Sequence, residues 1–240
     1  MAKPKIQAIM SCPRLGFTGA FASTLKMVAQ LGIGIKQGQG AFWGQVLQNI
    51  MESSLDDADY LLTLDYDSWF LPGHVQMLHR LAVDNPTVDV LVPVQEKQSS
   101  SNEALFLVKG ADGQADRHPL VSTMRQPLVP LVSGHFGCTL IRTESLRKLP
   151  KPWFQAVPNE IGEWHEGKID DDIWFWHQCA KAGLNVQLAS RVFVGHLQQV
   201  CTFPDVLEHN FNAVHVLMKD LDAEKLPIHV VPDVPVQGGK

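Results

Sequence analysis

Apolar positions along this 240-residue chain switch between two spacings, and the switches divide it into alternating strand and helix candidates. Ile6–Met10 is a short continuous apolar run that reads as a strand. Ala20–Gly32 follows with Phe21, Leu25 and Val28 at helical spacing, so the chain opens on a βα unit. The helical period returns over Ala41–Ser54, with Phe42, Val46, Leu47 and Ile50 on one face. Tyr60–Leu64 is a buried strand, Pro72-Gly73 starts a helix that runs through Arg80 and Leu81, and Val88–Val94 is a β-branched run. Such alternation predicts an α/β fold with a mostly parallel, Rossmann-like central sheet flanked by helices. The glycine-rich Gly32–Gly40 falls between two helices and is expected to be a flexible loop.

Between Gln95 and Val132 the character changes. Ser99-Ser100-Ser101-Asn102 and Gly110–Gly113 interrupt short strand candidates such as Leu105–Val108, which predicts a hairpin or an excursion that extends the sheet with mixed or antiparallel pairing. Phe136–Arg142 resumes as a strand, and Glu144–Leu149 is a short helix stopped at Pro150-Lys151-Pro152. A looser stretch, Trp153–Lys168, precedes a helix over Asp170–Ala182 that Gly183 closes. Val186–Ala189 and Val192–Val194 read as short strands ending at Gly195-His196. Pro204–Leu221 is expected to be a last helix and Pro227–Lys240 a loosely held tail. With no internal repeat and no strong linker, the expectation is one domain over 1–225 and a tail over 226–240.

Composition narrows the function classes. Hydrophobic residues make up 45% and charged residues 19%, with 18 Gly and 15 Pro, as in an ordinary folded protein. A net charge of −5 argues against broad attraction to nucleic acid or anionic membrane. Cys12, Cys138, Cys179 and Cys201 are scattered, without zinc-ligand spacing, and read as reduced core thiols. The first apolar stretch is too short for a secretory signal, and no run approaches the roughly 20 apolar residues that span a bilayer. The expected protein is cytoplasmic, without integral membrane contact.

The most informative segment is Asp59–Ser68, where an apolar strand ends in Asp65-Tyr66-Asp67. Alternation along an extended chain would put Asp65 and Asp67 on the same side, and a carboxylate pair at the carboxyl edge of an α/β sheet suits a hard divalent cation. A solvated turn is the other reading, because Asp is common where strands end. Competing motifs fail on spacing. A calcium loop counted from Asp65 would need Gly and Glu where Phe70 and Gln76 stand. An aspartyl-nucleophile phosphatase would not have Trp69 as its fifth residue. The Gly32–Gly40 glycines match neither phosphate-binding pattern.

Three further segments bear on the aspartates: Ser133-Gly134-His135-Phe136-Gly137-Cys138, Asp170-Asp171-Asp172-Ile173-Trp174-Phe175 and Val192-Phe193-Val194-Gly195-His196. Each has a plain structural reading as well. Acidic residues that open a helix cap its exposed N–H groups and complement its dipole. A strand-end histidine needs only a hydrogen bond, and Gly134 and Gly137 either permit close backbone approach or relieve a turn. Trp174, Phe175 and Trp176 read mostly as core. The loop tryptophans Trp153 and Trp164 either stack on a sugar or pack beneath the loop.

Taken in order, the segments resemble the GT-A glycosyltransferases, specifically the family 2-like members that contain D-x-D. In that class a D-x-D strand end supplies metal ligands, a G-x-G-like strand follows, an acidic pair opens a helix of the form E/D-D-x-x-F, and a later His completes the metal site. The resemblance runs from Ile6 to His196, about four-fifths of the chain, by order of elements. Asp171 stands where glutamate is commoner, and the Ala-Arg-Asn often found before the D-x-D strand is missing around Trp43–Asn49.

The resemblance implies a Mn2+- or Mg2+-dependent glycosyltransferase that moves a sugar from a nucleoside diphosphate-sugar donor to a hydroxyl. It implies metal ligands Asp65, Asp67 and His196, with Asp67 the more direct and Asp65 reaching ribose or a metal-bound water. Cys12, Pro13 and Arg14 at the end of the first strand would meet the nucleotide, Gly134 the donor sugar, and His135 either substrate. If the anomeric centre inverts, Asp171 is the first choice of base and Asp172 the second. The acceptor stays open among saccharide, protein, small molecule and modified nucleic-acid base. Two alternatives remain: a nucleotidyltransferase making nucleotide-sugars, and a non-catalytic domain of the same shape that binds a nucleotide-sugar or a protein.

Overall fold

The structure is a computed structural model and describes residues 5–13, 16–96, 104–110, 112–116, 121–197, 200–205 and 212–217. The alternation read from the sequence is present. β1 (Ile6–Cys12), α1 (Thr18–Leu31), β2 (Ile35–Gln39), α2 (Trp43–Glu52), β3 (Tyr60–Leu64), the short β4 (Ser68–Trp69), α3 (Pro72–Asp84) and β5 (Val90–Val94) follow in order. The excursion after β5 contains β6 (Leu107–Lys109), β7 (Ala115–Asp116), α4 (Val121–Met124) and β8 (Leu128–Ser133). Then come β9 (Cys138–Arg142), α5 (Thr143–Leu146), α6 (Asp171–Lys181), β10 (Val186–Phe193), β11 (Gly195–Leu197), β12 (Val200–Asp205) and β13 (Asn212–Leu217).

The main sheet has the order β2-β1-β3-β9-β5-β10-β8-β6-β7. β1 pairs in parallel with β2 and β3, and β5 with β10, while β9 runs antiparallel between β3 and β5. Helices cover both faces, so β3 is buried along its whole length. Leu61 enters one core with Ile9, Leu47 and Met51, and its neighbour Leu62 enters the other with Met10, Val75 and Leu78. Thr63 is tolerated in this interior because its hydroxyl donates to the Phe136 carbonyl at 2.8 Å.

Direction determines what meets at the sheet's edge. β1, β3 and β5 present their carboxyl ends at the same edge, leading into Pro13, Asp65 and Gln95. Because β9 is reversed, with Leu64 opposite Cys138, its amino end arrives there and carries Gly134–Gly137 with it. A second sheet, β13-β12-β11-β4, stands beside this edge.

Several expectations are corrected. Within the Gly32–Gly40 run, Ile35–Gln39 is an ordered edge strand, β2, rather than part of a loop. A Cβ on Gly38 would lie 2.8 Å from both Val46 and Ile50, so the glycine lets the strand pack directly under α2. The helix expected over Pro204–Leu221 is contradicted by β12 and β13, which pair antiparallel from Val200↔Leu217 to Asp205↔Asn212. Alternating β-branched residues in Asn212–Leu217 suit that pairing, and a helical count masked them. Val186–Ala189 and Val192–Val194 merge into one strand whose register shifts between Ala189 and Phe193. The expected tail, 226–240, lies outside the described residues. Among the described residues, no helix is long and apolar enough to cross a membrane.

Candidate active site

The Asp65-Tyr66-Asp67 segment does not continue as an extended strand, so alternation is not what brings its aspartates together. The Ser68 N–H closes a turn onto the Asp65 carbonyl at 3.3 Å, and the chain reverses into β4. β4 then pairs with β11, setting Ser68 opposite His196, and the Leu197 N–H donates to the Asp67 carbonyl at 2.6 Å. Sheet register thus carries His196 from the far end of the chain to the D-x-D turn. His196 Nε2 lies 3.3 Å from Asp67 Oδ2. Its Nδ1 lies 3.3 Å from the Glu96 carbonyl, which can only accept, so Nδ1 bears the hydrogen and Nε2 faces the carboxylate. Burial works to lower the His196 pKa, but Asp67 and the Glu96 carbonyl outweigh it, and the net shift is upward.

Gln95, at the end of β5, fastens this arrangement. Its buried Nε2 donates to Ser68 Oγ and to the Gly195 carbonyl, each at 3.1 Å, which joins β4 to β11 just beyond Asp67 and His196. Gly137 is needed beside it, since a Cβ there would sit 2.8 Å from Gln95 Oε1 and 3.0 Å from His135 Nδ1.

Two cavities meet at the D-x-D turn. One, of about 250 Å³, is faced by Asp65, Asp67, Asp171, Asp172, His135 and His196. The other, of about 390 Å³, extends past Ser11, Cys12, Pro13 and Tyr66 at the end of β1. Trp43, Asp65 and Asp67 border both and form the partition. Trp43 stands there as the first residue of α2, its ring edge-on to Phe136 and Phe154 at centroid distances of 5.3 and 5.4 Å. Phe136 and Phe154 in turn contact Phe175 from α6, so aromatic packing fixes the acidic helix start against the partition.

Asp65 is half-buried by surface, but its carboxyl is enclosed. Burial first, and the charge of Asp67 second, push its pKa up to about 7, against a hydrogen bond from the Trp43 side chain. At α6, the Asp172 N–H donates to Asp171 Oδ1 at 3.0 Å and the Ile173 N–H to Asp172 Oδ1 at 2.8 Å. Asp170 holds the N-cap position without a side-chain cap and pairs instead with Lys168 at 2.8 Å. Asp171 presses on α2: a Cβ at Gly44 would meet its carboxylate and lie 2.8 Å from Phe154 Cβ. Burial, helped by the charges of Asp171 and Asp170, raises the Asp172 carboxyl above its usual range.

These residues fit a hard divalent ion in one particular way. Cis ligands at about 2.1 Å from such an ion lie roughly 3 Å apart, close to the observed separation of Asp67 and His196. Among the described residues no three His, Cys, Asp or Glu side chains form a ready ligand group, so the pair would hold an ion whose remaining ligands come from substrate phosphate and water. Asp65, bonded to Trp43, borders the pair rather than completing a triad.

No family model matches the chain, and no curated protein does. Solved structures do match. A197 from STIV superposes with a TM-score of 0.58 at 16% identity, over 88% of this chain and 96% of that one. A structure of GalNAc-T7 with UDP, GalNAc and Mn2+ superposes with a TM-score of 0.54 at 10% identity, over 81% of this chain and 44% of that one. This chain therefore spans less than half of the latter. The fold is GT-A-like. Identities this low speak for the fold alone.

Within the GT-A-like sheet, the sequence-derived residues fall at different places. Asp65, Asp67, Asp171, Asp172, His135 and His196 face one cavity, and Cys12 and Pro13 the other, whereas Arg14 lies outside the described residues. His135 is a wall residue whose ring nitrogens are both engaged: the Gly137 N–H donates to Nδ1 at 3.1 Å, so Nε2 donates to the Pro93 carbonyl at 2.9 Å. Gly134 serves packing, because a Cβ would lie 2.8 Å from Val92. Trp153 is core, 1% exposed, while Trp164 remains in solvent at 56%. Sequence reasoning missed Gln95 and Trp43. Gln95 carried a usable signal, a polar residue directly after a β-branched run at the edge where Asp65 emerges. Trp43 carried none beyond preceding a glycine, Gly44.

Proposed function

We propose that the protein is a Mn2+- or Mg2+-dependent glycosyltransferase that moves a sugar from a nucleoside diphosphate-sugar to a hydroxyl acceptor. The observation that carries this reading is the Asp67–His196 pair at the partition between two cavities, with the carboxylates that open α6 facing one of them. A nucleotide against Ser11, Cys12 and Pro13 would bring its phosphates to the partition and its sugar toward α6. A divalent cation held there would supply neutralisation of the charge that develops on the departing diphosphate. Asp67 and His196 would hold it, and Asp65, oriented by Trp43, would accept a hydrogen bond from ribose or from water.

The base preference passes from Asp171 to Asp172. Asp171 spends one oxygen on the Asp172 N–H and presses the other side of its carboxyl on α2, whereas the desolvated Asp172 carboxyl is shifted in the direction that strengthens a base. As Asp172 takes the acceptor's proton, the acceptor oxygen forms a bond to the anomeric carbon. The bond from that carbon to phosphate breaks, and its electron pair leaves with the nucleoside diphosphate. Attack from the side of α6 inverts the anomeric centre.

The test is release of free nucleoside diphosphate from a panel of nucleoside diphosphate-sugars, with Mn2+ or with chelator. Metal-dependent release from one donor is expected, reduced about 100-fold in Asp67→Ala. Pyrophosphate release from nucleoside triphosphate and sugar phosphate would favour nucleotidyl transfer instead. Donor binding without turnover in any arm would favour a binding domain.

A further inference from the structure

The loop between Trp153 and α6 is built as a rigid platform, and nothing in the proposed chemistry uses its tip. One stem packs behind the active-site cavity and the other ends at its wall. Phe154 packs on Trp43, and Asp171 follows immediately on the returning stem. Val157 and Ile169 exchange backbone hydrogen bonds of 2.8 Å, closing the loop at its base. Asn159 then organises the tip: its Oδ1 accepts from the Glu163 N–H at 2.8 Å and the Ile161 N–H at 3.3 Å, and its Nδ2 donates to the Glu166 carbonyl at 3.1 Å. Gly162 and Gly167 supply the positive φ angles, +84° and +86°, that the turns need.

Ordering a loop in this way costs backbone entropy, which burial of its apolar residues ordinarily offsets. Here it does not, because Ile161 is 78% and Trp164 56% exposed. The residues around them, Glu160, Glu163 and His165, are exposed as well.

We propose that this tip is a saccharide-binding site, the acceptor subsite of the transferase inferred above, and it rests on that reading for its role in the reaction. A tryptophan ring covers the apolar C–H face of a pyranose with little loss of side-chain freedom, and Glu160 and Glu163 accept hydrogen bonds from its hydroxyls. The acidic rim disfavours a nucleic-acid acceptor, whose phosphates it would repel. Two apolar side chains are too little surface for a stable protein interface. A neutral, polyhydroxylated ligand uses both kinds of group.

The test reads binding directly and needs no turnover. Saturation-transfer NMR with cellotriose, maltotriose, chitotriose and mannotriose is run on the wild type, on Trp164→Ala and on Leu25→Ala, a control for an exposed apolar residue on α1. At least one trisaccharide should bind the wild type and Leu25→Ala alike, with affinity about tenfold weaker in Trp164→Ala. Binding of none of them, or equal binding to Trp164→Ala, overturns the site. Saccharide binding that depends on Trp164 in a protein that turns over no donor would overturn the transferase reading while upholding the site.

Discussion

Whether a histidine can titrate depends on what its two nitrogens already do. His135 is fully engaged and buried, and burial lowers its pKa to about 4, so the folded state holds it neutral. The unfolded chain protonates it near the ordinary value of about 6.5. The contribution of His135 to stability is therefore complete above about pH 6.5 and is lost progressively as pH falls toward about 4. Urea midpoints between pH 7.5 and pH 4.5 should fall more steeply for the wild type than for His135→Gln, and parallel curves would count against this assignment. Asp65 and Asp67 make the same point for carboxylates. Two residues apart, one is enclosed beneath Trp43 and the other meets His196. Residue type pointed to both aspartates, and only their surroundings separate them.

At the scale of elements, the site depends on a two-residue strand. β4 is too short to be found from any hydrophobic period, yet its pairing with β11 joins Asp67 to His196. Gln95 secures that pairing, so Gln95→Ala should weaken Mn2+ binding about tenfold and cost ~1–3 kcal/mol of stability as the Gly195 carbonyl and Ser68 hydroxyl lose their donor and partner. Electron paramagnetic resonance titration with Mn2+, alongside denaturation, checks both. Lost stability with unchanged Mn2+ affinity would reduce Gln95 to a packing role. The misread helix over Pro204–Leu221 has a related cause, because β12 and β13 are stabilised by partners across the sheet rather than by neighbours along the chain.

For the molecule as a whole, the two cavities and their shared partition predict coupling between ligands. A cation held by only two protein side chains binds weakly alone and more tightly once a diphosphate completes its shell. Mn2+ and nucleoside diphosphate together should raise the melting temperature by more than the sum of their separate effects, with linkage contributing about 2.7 kcal/mol at a hundredfold excess over Kd. Strictly additive shifts, measured by differential scanning fluorimetry, would separate the metal pair from the nucleotide cavity. The α/β class, the strands and helices β1, α1, α2, β3, α3, β5, β9 and α6, and the strand end that presents the aspartates were legible in the sequence, because periodicity and residue type are local properties. Which histidine meets which aspartate, that Gln95 and Trp43 belong to the site, and that β2, β12 and β13 are strands were decided only in the tertiary structure. Each depends on pairing or packing between segments far apart in the chain, where hydrogen-bonded register, steric fit and desolvation act and a one-dimensional pattern carries no record of the partner.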